Sequence, residues 1–200
     1  VSSLLVYLGL GLLTDYNVRA EMWLSVGLAG LLYLLQLRML LRGRFPAGDF
    51  AIKAVLAVAL AWLTFSLRQF ENYFWGFQLQ WFMNLLAVAA GASVLAGMKQ
   101  TPGAGRLALL AVCGLFALFS LSSGIVYWAL VPLALLFFLK TSARRPVLIW
   151  LALLALVLAL YLHGFQQQEG HPSWWVPLTR PLAFARHVLV FLGTPLLPQT

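Results

Sequence analysis

The sequence predicts an all-α fold, a polytopic bundle of transmembrane helices, and three observations predict it. Hydrophobic residues make up 62% of the 200 and charged residues only 9%, which leaves too little polar surface for a water-soluble domain. Long apolar runs follow one another down the chain, with charges held at their edges. The 13 lysines and arginines concentrate in every second connection between those runs, as they do on the cytoplasmic flanks of membrane helices.

A spanning helix needs about 20 mostly apolar residues, and residues 23–41, 50–67, 74–98 and 146–163 meet or approach that length. Residues 107–139 form a run of 33 without a charge, interrupted by SLSSG at 120–124. Such a run is too long for one span, and two helices joined by a tight turn fit it. Each would have about 15 residues and measure about 22 Å, against a hydrocarbon thickness of about 30 Å. The turn is therefore expected in a depression below the membrane surface. This makes about six firm spans, two of them short. The terminal segments are marginal: 1–13 is short, and 178–192 carries Arg180, Arg186 and His187. Either segment could span or lie along the interface. Ala89, Ser93 and Gly97 recur at four-residue spacing and predict a helix face that a neighbour approaches closely. Residues 1–200 read as one membrane domain. Because residue 1 is Val and the chain opens inside an apolar run, they also read as a fragment of a longer polytopic protein.

Charge orients the bundle. Arg38, Arg42, Arg44, Lys53, Lys99, Arg106, Lys140, Arg144 and Arg145 fall on one side with Asp49. Arg19, Arg68, Arg180 and Arg186 fall on the other, matched by Asp15, Glu21, Glu71 and Glu169. The net charge of +8 thus belongs to the expected cytoplasmic face, and the pI of about 10.3 calls for no nucleic-acid partner. The single cysteine, Cys113, lies in an apolar run; it can form no intrachain disulfide and is expected as a buried, inert thiol. Motifs of soluble catalysis are missing: there is no P-loop, no GxSxG and no HExxH. His163 and His171 stand eight residues apart, which matches no standard metal spacing. No metal site is assigned and no cofactor is called for, although a divalent metal stays open.

Polar groups gather on the non-cytoplasmic side. The densest stretch is FENYFWGFQLQW at 70–81, just after Arg68 and Gln69. Arg68, Gln69, Glu71, Asn72, Trp75, Gln78 and Gln80 bring together planar amides, an aromatic floor, a carboxylate and a cation, which is what recognition of a sugar or a phosphate needs. Structure alone accounts for much of this. Trp and Tyr belong to the interfacial belt of membrane proteins, Arg68 and Glu71 can pair, and amides at membrane depth such as Gln80 and Asn84 form interhelical hydrogen bonds worth about 1 kcal/mol. Ser122 and Ser123, in the expected turn, are a second polar group on this side.

DYNVRAEMWLS at 15–25, RQFENYFWGFQLQW at 68–81 and FSLSSGIVYWALVPLALLFFLK at 119–140 occur in this order in large bacterial inner-membrane proteins that look like GT-C-type glycosyltransferases. This resemblance covers about residues 15–193. It implies a multi-pass protein of the bacterial inner membrane that transfers a sugar from a polyprenyl-phosphate donor on the periplasmic side to a glycan or lipid acceptor. In such enzymes the catalytic acid stands in the first long periplasmic loop, expected upstream of residue 1, so the catalytic residue is unknown and the fragment alone should not turn over. What carries over is a substrate-side set: Arg19 and Glu21, then Gln69, Glu71, Asn72, Trp75, Gln78 and Gln80, then Ser122 to Gly124. Two other readings stay open. One is a transporter or flippase for a lipid-linked or polar solute, against which stand the lack of mid-depth acids in the firm helices and of any evident internal repeat. The other is a membrane scaffold without a site.

Overall fold

The computed structural model describes residues 2–43, 49–66, 73–75, 78–98, 101–139, 144–163 and 176–193. These are 91% helical, without a strand. The helices are α1 (Ser2–Thr14), α2 (Val18–Arg42), α3 (Asp49–Phe65), α4 (Leu79–Ala96), α5 (Ala104–Ser120), α6 (Ile125–Leu139), α7 (Arg144–Leu162), α8 (Val176–Thr179) and α9 (Pro181–Gly193). They fall into two compact units, Val1–Val157 and Leu158–Thr200.

Three of the helices, α2, α4 and α7, are long and apolar enough to cross a membrane. α3 and α5 have 17 residues and α6 has 15, so three of the six spans expected from sequence reach spanning length among the described residues. The terminal helices α1 and α9 have 13 residues each, about 20 Å at 1.5 Å per residue, in keeping with their marginal reading.

Local chemistry sets the helix ends. Asp15 and Tyr16, at φ 54° and 55°, make the turn between α1 and α2. The Tyr16 N–H donates to the Gly11 carbonyl at 2.9 Å, closing α1 through left-handed residues as helix C-termini commonly do. For Tyr that conformation costs about 1–2 kcal/mol. Asn17 then caps α2, its side-chain oxygen accepting from the Arg19 N–H at 3.0 Å. The helix expected over 74–98 begins instead at Leu79. The Gln78 N–H donates to the Trp75 carbonyl at 2.8 Å, an i to i+3 turn that delays the helix.

The 33-residue apolar run is a hairpin, as its SLSSG interruption predicts. α5 ends at Ser120, a single 3₁₀ turn covers Ser122–Gly124, and α6 follows at once. Gly124 packs directly on the backbone of Ala117 and Leu118, leaving no room for a side chain. The core of the first unit is built around this hairpin and α7: Leu110, Tyr127, Trp128, Val131, Leu135, Val147 and Trp150 are buried together, and Cys113 lies partly buried against them. The Trp128 and Trp150 rings stack with centroids 4.9 Å apart.

A proline explains the polar half of that contact. Pro132 lies inside α6, so the carbonyl four residues earlier, that of Trp128, has no helical N–H to accept from. The Trp150 indole Nε1–H donates to that carbonyl at 2.9 Å, satisfying a buried acceptor from the neighbouring helix.

Ala89, the first of the three small residues at four-residue spacing, is buried, but the close approach seen at a glycine of α4 is not at Gly97. Gly97 is the C-cap beyond the last helical residue, and an added Cβ there would meet only carbonyls of its own helix at ordinary distance. Gly91 faces the Tyr127 ring instead, and a Cβ there would overlap the phenol. The Tyr127 hydroxyl donates to the Leu110 carbonyl at 3.1 Å, so α4, α5 and α6 meet around one ring.

Candidate functional site

Arg68, Gln69, Glu71 and Asn72, four of the nine candidate residues, lie outside the described residues. The other five lie in the first unit, at the start of α4 and in the α5–α6 turn.

Tyr73 anchors the described part of the aromatic stretch. Its hydroxyl donates to the Thr64 carbonyl near the end of α3, and its ring packs on Phe82 in the first turn of α4 at 4.9 Å. Trp75, two residues on, is 65% exposed and is spare to the packing. Gln78 caps α4 with its backbone in the helical region and makes no side-chain cap bond. Its Oε1 is buried without a hydrogen-bond partner among the described residues. A buried amide oxygen left unpaired costs about 1–3 kcal/mol, so a donor reaching this oxygen would contribute about that much. Gln80 is half-buried.

Asn84, one helical turn after Gln80, is buried. Its Nδ2 donates to the Ala117 carbonyl at 3.0 Å and to the Leu121 carbonyl at 3.3 Å. These carbonyls, at the C-terminal end of α5, already accept from the Leu121 and Gly124 N–H groups at 3.0 and 2.8 Å, and the amide takes their remaining lone pairs. It therefore ties α4 to the end of α5, the interhelical use anticipated for amides at this depth. It also brings the start of α4 beside the turn holding Ser122 and Ser123, both exposed. Two polar groups some 40 positions apart in sequence thus share one end of the α4–α5 pair.

Ser120, the last residue of α5, is buried and donates to the Phe116 carbonyl at 2.7 Å. Its hydroxyl also lies 2.8 Å from that of Ser2, so α1 begins against the same helix end. Sequence patterning marks Ser120 as the start of the SLSSG interruption but does not pick out Ser2.

Glu21 adds a carboxylate that resemblance singled out and burial now sharpens. It lies in the first turn of α2, where the helix dipole favours an acid, and only 4% of it is exposed. Among the described residues no hydrogen bond or ion pair reaches its carboxylate. One turn on, the fully buried Ser25 donates to the Glu21 main-chain carbonyl at 3.1 Å. Arg19, its expected companion, is exposed.

No group of three His, Cys, Asp or Glu side chains gathers among the described residues. His163 is exposed, and His171 lies outside the described residues. No family model, curated protein or solved structure matches this chain.

Proposed function

We propose that this chain forms part of the membrane domain of a GT-C-like glycosyltransferase of the bacterial inner membrane. The end formed by the start of α4 and the α5–α6 turn would serve as the wall that receives a polyprenyl-phosphate sugar or its acceptor. The supporting observation is the buried Oε1 of Gln78, unpaired among the described residues, in a stretch of chain that also holds the exposed Trp75 and the half-buried Gln80. An aromatic face packs against a sugar ring, a carboxamide acceptor takes a sugar hydroxyl, and amide and serine groups take what remains. Arg68, Gln69, Glu71 and Asn72 extend the same surface in this reading. On this reading the bundle crosses the bilayer six times, with α3, α5 and α6 accommodated by local thinning, at a cost of fractions of a kcal/mol per Å of mismatch.

The wall does not supply the chemistry. A general base on the acceptor hydroxyl and a cation facing the departing polyprenyl phosphate are the groups that such a transfer needs, and the base is sought outside this chain. Assay of glycan formation by the complete protein tests the reading. Glu71→Gln and Gln78→Ala should each lower the product at least ten-fold while the protein stays at wild-type abundance in the membrane. Wild-type product from both variants would refute a substrate role for this end. The scaffold reading draws support from Asn84, whose hydrogen bonds are wholly structural; under it, the two variants would change stability alone.

A further inference from the structure

A groove of about 670 Å³ runs between α5 and α7 at their N-terminal ends, away from the polar site. Leu107, Ala111 and Leu115 line it from α5, and Pro146, Ile149 and Leu153 from α7. From Gly103 to Leu115 it follows α5 for about 18 Å at 1.5 Å per residue, close to the depth of one leaflet, half of the roughly 30 Å hydrocarbon layer. Apolar walls of that length suit a lipid tail. Arg145 stands at the mouth, with Arg144 beside it and Arg106 in the first turn of α5. All three are exposed, and no carboxylate pairs with any of them among the described residues. Their charge also lies on the face that the distribution of lysine and arginine assigns to the cytoplasm, where the leaflet is anionic.

We infer that this groove is a binding site for an anionic glycerophospholipid, its phosphate held by Arg145 and one acyl chain laid between α5 and α7. Basic pockets between membrane helices on the cytoplasmic side hold anionic headgroups in this way. A soluble anion would use the arginines and leave the apolar trough empty. A zwitterionic lipid would use the trough and gain little from the arginines. Only an anionic lipid uses both. The inference rests on the helices lying in a bilayer and is independent of the transferase reading.

Native mass spectrometry of the complete protein, released from nanodiscs containing equal phosphatidylglycerol and phosphatidylcholine, reads the site directly. The wild type should retain phosphatidylglycerol in preference. Arg145→Gln should cut that preference about five-fold, the effect of about 1 kcal/mol for one arginine near an anionic surface. Arg38→Gln, an exposed cation away from the groove, should leave it unchanged. Ala108→Trp, at an exposed position on the groove wall, should reduce retention of both lipids, with the melting temperature reporting an intact fold. Equal retention of the two lipids by the wild type, or an unchanged preference in Arg145→Gln, would overturn the inference. Displacement of phosphatidylglycerol by a lower concentration of polyprenyl phosphate, with the same dependence on Arg145, would also overturn it by assigning the groove to that carrier.

Discussion

Pro132 takes an N–H from α6, and Trp150 returns one from α7. The pairing makes a prediction that a hydrophobic account of the same two rings would not. Trp150→Phe keeps an aromatic ring against Trp128 but leaves the Trp128 carbonyl without a donor, and should destabilise the fold by about 1–3 kcal/mol. In a Pro132→Ala background the helix supplies its own N–H, so the same replacement should cost measurably less. A double-mutant cycle on unfolding free energies checks this; identical costs in both backgrounds would assign the effect to packing alone. Asn84 makes a similar case, because its two hydrogen bonds end on main-chain carbonyls. Asn84→Asp has nearly the same shape and can donate to neither. It should speed amide exchange around residues 117–124 as much as Asn84→Leu does, and slow exchange in the Asp variant would count against this tie between α4 and α5.

At the scale of elements, patterning placed helices well and their meeting points poorly. The charge-free run with a Ser-Ser-Gly interruption specified the α5–α6 hairpin, because in an apolar medium only a helix satisfies its backbone and only a tight turn can interrupt it. The start of α4 at Leu79 rather than near residue 74 is not legible in the sequence, since the main-chain hydrogen bond from Gln78 to Trp75 that precedes it leaves no mark on hydrophobicity. The small-residue spacing marks Ala89, Ser93 and Gly97; of these Ala89 is buried, while the glycine held tightly against a neighbour is Gly91, outside that set. Spacing reports which face of a helix is small; only the position of Tyr127 on another helix decides where that face is used. Gly91→Leu should therefore deplete folded protein strongly, while Gly97→Leu should stay within about 0.5 kcal/mol of wild type, as changes away from packed features do. Detergent-resistant folded yield, measured for both variants side by side, distinguishes these positions.

For the whole molecule, composition carried the class: the described residues are helical without a strand, and three of their helices are long and apolar enough to span. The candidate site was legible in part. Polar residues in an aromatic setting marked Trp75, Gln78 and Gln80, and the turn marked Ser122 and Ser123. That these groups share one end of the α4–α5 pair could not be read from the sequence, since the tie is a single amide reaching carbonyls more than 30 residues away. Glu21 was invisible to periodicity for a related reason. A carboxylate in a first helical turn looks like a dipole partner at the surface, and only packing reveals that it is buried. If that buried acid serves the site, Glu21→Gln should lower product formation in the complete protein while preserving stability, because the amide keeps the shape of a side chain that makes no hydrogen bond or ion pair among the described residues. Loss of stability with unchanged specific activity would make it structural.

On the proposal that the start of α4 touches a polyprenyl-linked sugar, site-specific photocrosslinking reads that contact directly. A photoreactive residue placed at Gln78 or Gln80 of the complete membrane-embedded protein should capture a tagged polyprenyl-phosphate sugar, and excess untagged donor should suppress the capture. The same residue at Trp62, exposed on α3, should give only weak labelling that donor does not suppress. Labelling at 78 and 80 no stronger than at 62, or unaffected by competing donor, would contradict the claim.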